Sequence, residues 1–418
     1  MLRFYAYQLN PQKLEQLAVA LQDNDTLTTL DLSMNQINSQ GTEHIANALR
    51  QNKTLRWLNL ANNKIGTNGA QYLGHALELN NTLVSLDLAS NTIDDDGVYY
   101  LARALQSNMT LTTLCLRNNQ ISSHGAQYLA NGLQENNTLT SLDICANQID
   151  DSGAEYLANA LQRNTTLVTL DISQNQIGSH GALHLSNALK RNQTLKELNV
   201  SSNKINDVGA QYIMDALREN KTLTNLNLSH SQLSDAIAQY LDIDLQQTIT
   251  LIELSFAANQ IGDETAQYLA NLLQQNKTLT TLNLSCNKIT DQGAQHLANA
   301  LQQNDTLTSL SLSFNWIDSQ GAEYIANILE QNKTLTTLHL QYNNIEAQGG
   351  QYIADALANN NILTTLNLSG NQIGDEGGQS FINALQQNKT LTILKLSSND
   401  ISHETEEQLV TVQKQNQV

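Results

Sequence analysis

The chain has 418 residues, a formal net charge of −18, a pI of about 4.7, one proline and three cysteines. Acidity on this scale disfavours nucleic acid and anionic membrane, which attract cationic surfaces, and fits a basic protein partner. No run of about 18 apolar residues occurs, so nothing reads as a membrane span.

The chain opens part-way through a pattern. Leu2, Phe4 and Leu9 stand one period ahead of Leu30, Leu32 and Ile37, and Leu17, Ala18, Ala20 and Leu21 fit a helix that follows. The N-terminus carries no apolar stretch of the kind a secretory signal needs. From Leu27 a unit LxxLxLxxNxI recurs fourteen times with a constant step of 28 residues, from Leu27, Leu30, Leu32, Asn35 and Ile37 to Leu391, Leu394, Leu396, Asn399 and Ile401. Such a unit cannot bury its apolar face alone, so copies must stack into a continuous core. The phase never slips, so each residue belongs to a column with a fixed place in space.

The copy from Leu279 to Leu301 shows the logic. Leu282 and Leu284 alternate with polar neighbours, the period of a short strand with one buried face. Asn287 falls at the turn, where its amide can bond unpaired backbone groups and stacked copies can form a ladder. Ala294, Leu297, Ala298 and Leu301 make the apolar stripe of a helix, which Asn304 ends. The Asp291 column, which includes Ser39, Thr67, Asp95, Asp151, Asp207, Asp235, Asp263 and Asp375, reads as the N-cap of each helix. A tyrosine column on the helices, including Tyr72, Tyr100, Tyr128, Tyr240, Tyr268 and Tyr352, reads as packing between neighbours.

Two repeats break the pattern. Ser231 replaces the turn Asn, Ile237 and Thr265 replace the helix Gly, and Asp244 stands where an Ala is usual. At the end of the chain the helix column of Leu357 and Leu385 becomes Gln413, as a solvent-facing cap requires. The expected organisation is one domain over 1–418: a partial repeat over 1–26, regular repeats over 27–402 and a capping helix over 403–418. It leaves no room for a catalytic domain.

Cys115 and Cys145 lie on adjacent repeats in columns two residues apart. Their Cα atoms should then be about 8 Å apart, too far for an unstrained disulfide. All three cysteines read as free thiols in a reducing, cytoplasmic compartment. Asn-x-Thr occurs twelve times, beginning at Asn24, Asn52 and Asn80. A secretory route would make these a rank of glycan acceptors; they read instead as structure, with Asn closing a helix and Thr leading into a strand.

Units such as NKTLTTLNLSCNKITDQGAQHLANAL resemble the ribonuclease-inhibitor-like class of leucine-rich repeats, which includes the sensing domains of NOD-like receptors. The resemblance covers essentially the whole chain. It implies an α/β horseshoe solenoid of 28-residue β-α repeats, with a parallel concave sheet inside, helices outside and protein binding on the concave face. The constant period and low cysteine count depart from ribonuclease inhibitor. The low-proline, Asn/Gln-rich repeats also resemble leucine-rich repeat effectors of intracellular bacteria. The tail SHETEEQLVTVQKQNQV, with Glu404, Glu406 and Glu407, is similar to the glutamate-rich export signal of Dot/Icm type IV effectors; a frayed acidic last helix is the plainer account.

Residues between the buried leucines point to the concave face. Its central column carries Asp31, Asp87, Asp143 and Asp171 in the first half of the chain, with Cys115 among them, and His339 and Lys395 near the end. Asp143 and Asp171 should face each other across a parallel pair, which is unfavourable without a cation or a partner. The strip is either a docking site for Lys and Arg or Asp/Asn drift at solvated positions. Phe314, Trp316 and Tyr342 stand out beside His339 among Ser, Ala and Asn, either as a binding hot spot or as a Phe314–Tyr342 surface pair. Trp57, with Arg56 and Met34, is a weaker candidate.

No Gly-rich phosphate loop, HExxH or CxxC occurs. His124 and His180 fall on outer loops away from Cys115 and Cys145, so no Cys/His nucleophile pair is expected. The sequence reads as a non-enzymatic, monomeric protein-binding scaffold without catalytic residues, metal or cofactor. The setting it suggests is a bacterial effector in a host cytosol, with a NOD-like receptor sensing domain or an acidic inhibitor as the alternative.

Overall fold

A computed structural model describes residues 1–240 and 250–416; Asp244 lies outside them. Each repeat builds a three-residue strand, a turn and a helix, as the columns require. In the copy from Leu279, the apolar residues Leu279, Leu282, Leu284, Ile289, Ala294, Leu297, Ala298 and Leu301 are all buried. Every three-residue strand holds one central leucine in the core, flanked by partly or fully exposed residues that make the open face of the sheet. Among the described residues no helix is long and apolar enough to cross a membrane.

The chain forms two compact units. The first comprises Met1–Ile205 with Asp215–Leu223. Its strands are β1 (Leu2–Arg3), β2 (Thr29–Asp31), β3 (Trp57–Asn59), β4 (Ser85–Asp87), β5 (Thr113–Cys115), β6 (Ser141–Asp143), β7 (Thr169–Asp171) and β8 (Glu197–Asn199). Each pairs in parallel with the next, one full repeat apart, so Leu30 faces Leu58 and Asp143 faces Asp171. Helix α1 (Pro11–Gln22) begins on the one proline, capped by Asn10, where a missing N–H costs nothing. The partial first repeat keeps the expected register, Leu2 opposite Leu30. Its burial differs: Leu2 and Ala20 are exposed, while Leu14, Ala18 and Leu21 are buried.

The second unit comprises Asn206–Met214 with Thr224–Val418. Its strands are β9 (Asn225–Asn227), β10 (Glu253–Ser255), β11 (Thr281–Asn283), β12 (Ser309–Ser311), β13 (Thr337–His339), β14 (Thr365–Asn367) and β15 (Ile393–Lys395). Ser311 faces His339 and Asn367 faces Lys395. At the C-terminal helix, His403–Asn416, Gln413 donates from Nε2 to the Leu394 carbonyl at 2.9 Å, so the polar cap residue satisfies a strand end.

Two asparagine ladders hold the turns. Asn147 is buried; its Nδ2 donates to the carbonyls of Leu116, Ile144 and Cys145, and its Oδ1 accepts from the N–H groups of Asn119 and Ile121 one repeat back. Asn136, a helix-ending asparagine, accepts from Thr138 and Leu139 and donates to the carbonyls of Leu105 and Asn108. In both places the buried side chain supplies partners to main-chain groups that no helix or strand can pair.

The Asp291 column does not cap its own helix. That position is the second helical residue at Thr67, Asp207 and Asp375; at Asp291 and Asp151 it is the first, and the cap is the residue before it, Thr290 or Asp150. The Asp side chain reaches the following repeat instead: Asp291 Oδ1 accepts from the N–H groups of Asp318 and Gly321 at 2.8 and 3.0 Å. The next helix start is stacked within reach, so the acid serves a neighbouring helix. The irregular repeat shows its own outcome: Asp235–Tyr240 forms a 3-10 turn where other repeats form an α-helix. A Cβ at the usual glycine, as at Gly293, would lie 2.7 Å from the Ile289 side chain and 2.5 Å from the Asp263 carboxylate. Ile237 brings a branched side chain to that crowded place and is fully buried there.

Candidate functional site

The Asp/Asn column of the open face has a structural task that sequence reading missed. Asp31, Asp87, Asp143 and Asp171 each accept, through Oδ1, the N–H of the residue two further on: Ser33, Ala89, Cys145 and Ser173, at 2.9 to 3.1 Å. Asn59, Asn283 and Asn367 do the same. Where Asp or Asn ends the strand, one side-chain oxygen serves the turn, and the two supply it equally; Cys115, His339 and Lys395 end their strands without one. Only the second atom differs, so the charge of the first unit's strip is additional to what the fold needs.

Asp143 and Asp171 face each other, as their columns predict. Burial, then the Asp171 charge, raises the Asp143 carboxyl above its ordinary value against the lowering bond from Cys145 N–H. Cys115 donates from Sγ to Asp143 Oδ2 at 3.5 Å. Burial, then the Asp87 carboxylate, pushes this thiol far up, so it stays protonated and is a poor nucleophile. The three cysteines are free thiols. Asp143, Cys145 and Asp171 each bring a ligand atom within 4.8 Å of the others. The carboxylates already accept from Cys145 N–H, Ser173 and Asn199, and these bonds account for the arrangement. His124 lines an open recess of about 320 Å3 with Ser122, Ser123, Gln148, Asp150, Ser152 and Tyr156, a polar lining without a cysteine.

The second unit holds the aromatic candidates. Phe314 and Tyr342 occupy one column, three residues beyond the strand ends at Ser311 and His339. There the chain adopts a left-handed conformation in successive repeats, with φ of 54° at Phe314, 55° at Tyr342 and 70° at Gly370. Bulky side chains are rare in this region of backbone space. The two rings stack with centroids 4.3 Å apart and planes 18° apart. A Cβ on Gly370 would lie 2.5 Å from the Tyr342 ring, so the glycine leaves the ring its place. Stacking does not hide the rings: Phe314 is 47%, Tyr342 49% and Trp316 55% exposed.

His339 is half-buried, and burial, then the Lys395 charge, holds its imidazole below the ordinary range. Its Nδ1 and the Oε1 of Gln341 are buried without a hydrogen-bond partner among the described residues. Trp57 is half-buried on β3, and Met34 is exposed in the same left-handed column as Phe314. The acidic strip thus belongs to the first unit and the aromatic group to the second. The left-handed column escaped sequence reading, because Ser, Asn, Ala, Gln and His occupy it elsewhere and give no glycine signal. Of the tyrosine column, Tyr100 and Tyr128 each meet Tyr99 edge-on, at 5.3 and 5.2 Å.

The Leucine Rich repeat family matches residues 23–46, 51–74, 79–102, 107–130, 135–158, 163–186, 191–214, 219–241, 275–298, 303–326, 331–354, 359–381 and 387–404. No curated protein matches the chain. Among solved structures, an internalin (inlF) from Listeria monocytogenes str. 4b F2365 is 22% identical, covering 96% of this chain and 87% of its own, with a TM-score of 0.49. The actin-binding site 2 of leiomodin-1 is 27% identical over 31% of this chain and 75% of its own, with a TM-score of 0.29.

Proposed function

The chain belongs to the leucine-rich repeat family, and from that premise we propose that it is a non-enzymatic protein-binding scaffold that uses the open face of its sheet. The observation that carries this reading is the state of Phe314 and Tyr342. Both rings stay about half exposed while their backbones sit in a left-handed conformation that disfavours large side chains. Neither burial nor backbone preference explains aromatic residues there, and stacking on each other leaves both rings about half exposed; contact with a partner would account for them. Asp31, Asp87, Asp143 and Asp171 add a second contact region, suited to Lys and Arg, and Trp57 borders it.

The setting that fits is a bacterial effector acting on a host protein in the host cytosol. Its support is the Asn/Gln-rich, low-proline composition and the tail with Glu404, Glu406 and Glu407, exposed on the last helix. The test is affinity capture from host-cell lysate with the wild-type chain and with Trp316→Ala and Tyr342→Ala. A specific partner should be retained by the first and lost by the others, each substitution costing roughly 2 kcal/mol or more. Capture of the same partner at equal affinity by all three would remove the aromatic group from the binding surface.

A further inference from the structure

In the second unit, the stretches 280–287, 308–315, 336–343, 364–371 and 392–399 form the open face from β11 to β15. They contain no Asp or Glu, in a chain with 39 acidic residues and a net charge of −18. The same stretches in the first unit contain Asp31, Asp87, Asp143, Asp171 and Glu197 against Arg56, Arg117 and Lys196. Lys395 is exposed on β15 and, among the described residues, forms no ion pair. After burial, its charge is what holds the His339 imidazole below the ordinary range. This region is therefore locally neutral to positive within a strongly acidic molecule.

From this we infer that the open face from β12 to β15 binds an acidic, extended protein segment, with an apolar side chain against Phe314 and Tyr342 and a carboxylate at Lys395. The inference rests on the protein-binding reading above and adds the chemistry of the partner for this unit. Three strand spacings separate the Phe314 repeat from the Lys395 repeat, about 14 Å, which an extended chain spans in four to five residues. Between them lie the two unpartnered polar atoms, His339 Nδ1 and Gln341 Oε1. The terminal amide of Gln341 turns about a soft torsion and can meet an incoming main chain. The exposed Ile393, beside Lys395 on the last strand, extends the apolar surface at that end. A basic segment would place like charge against Lys395, which disfavours it.

The test is selection of a random dodecapeptide library displayed on phage. The immobilised wild-type chain is the target, with counter-selection on the Phe314→Ser and Tyr342→Ser double variant. Serine occupies the same left-handed column at Ser90, Ser202 and Ser398, so this variant keeps the backbone. Peptides that depend on the two rings should carry net negative charge and an aromatic or aliphatic anchor. Lys395→Glu should weaken synthetic copies by about tenfold or more in fluorescence anisotropy, most at low salt. Ring-dependent peptides that are neutral or basic would overturn the inferred charge of the partner and leave the aromatic anchor standing. Absence of any ring-dependent peptide would overturn both.

Discussion

The carboxylate of Asp263 begins a helix to which it does not belong: its Oδ1 accepts from the N–H of Gly293, thirty residues further on, at 2.9 Å. The same oxygen accepts from Thr290 N–H at 2.8 Å, and Oδ2 accepts from the Thr290 hydroxyl at 2.6 Å. One aspartate thus ties the start of one helix to the start of the next. Asp263→Ala should cost about 1–2 kcal/mol in urea unfolding, the range of a lost N-cap. Hydrogen exchange should rise at the N–H groups of Thr290 and Gly293, in the following repeat. A change confined to the helix that Asp263 opens would refute the cross-repeat role.

Asn147→Ala should destabilise the first unit by about 1–3 kcal/mol, because the buried carbonyls and N–H groups it serves keep no substitute. Thermal unfolding of this variant beside Asn137→Ala, on an exposed loop position, gives the comparison. Equal melting temperatures would show that the ladder contributes nothing measurable.

Asp143→Asn keeps the oxygen that accepts from Cys145 N–H and removes the charge opposing Asp171. The folded-state carboxyl of Asp143 lies above its ordinary value, chiefly through burial. The folded chain therefore holds this proton to higher pH than the unfolded chain, and stability falls as pH rises through that interval. Above that interval the wild type carries the full penalty. Asp143→Asn should be the more stable form there, with the gain fading as pH drops through the ordinary carboxyl range. A gain that persisted at low pH would place its origin elsewhere.

The thiols should separate by reactivity. Cys286 is exposed, Cys145 is buried and Cys115 is partly buried, with burial raising the latter two thiols above their ordinary range. Ellman's reagent should modify Cys286 quickly in the native protein and the others only on unfolding. Cys286→Ser should abolish the fast phase; a fast phase that survived would contradict the environment of Cys115 or Cys145.

Gly370→Ala tests the place left for Tyr342. The new methyl would fall on the ring, and the left-handed backbone adds strain. Stability should drop by about 1 kcal/mol or more, and the near-ultraviolet circular dichroism of stacked Tyr342 should change. A silent substitution would mean that the ring has other room.

The core was legible because burial repeats with the period: Leu282, Leu284, Ile289 and Leu297 could be assigned inward from spacing alone. Free thiols and the Asp143–Asp171 juxtaposition followed from column arithmetic. The direction of the Asp263 column was not legible. An acid at a helix start looks the same whether it caps its own helix or the adjacent one, and only stacking decides. The turn bond of Asp31 and Asp143 was hidden likewise, since Asp/Asn interchange resembles solvent drift until the shared oxygen is seen. The stacking of Phe314 on Tyr342 required the left-handed turn that no residue type announces.

That turn has a consequence for how such a surface changes over time. Met34, Ser90, Gln174, His230, Cys286, Phe314 and Tyr342 all occupy it with nearly the same φ, between 51° and 58°. The backbone there is set by the repeat and tolerates whatever side chain arrives, at a modest conformational cost. Each repeat therefore offers one interchangeable slot on the open face, detached from the leucines that hold the fold. A lineage, or an engineer, can rewrite the contact surface slot by slot while the core remains untouched. Glycine or asparagine at an unused slot would return stability, and a large ring at a neighbouring one would extend the aromatic row.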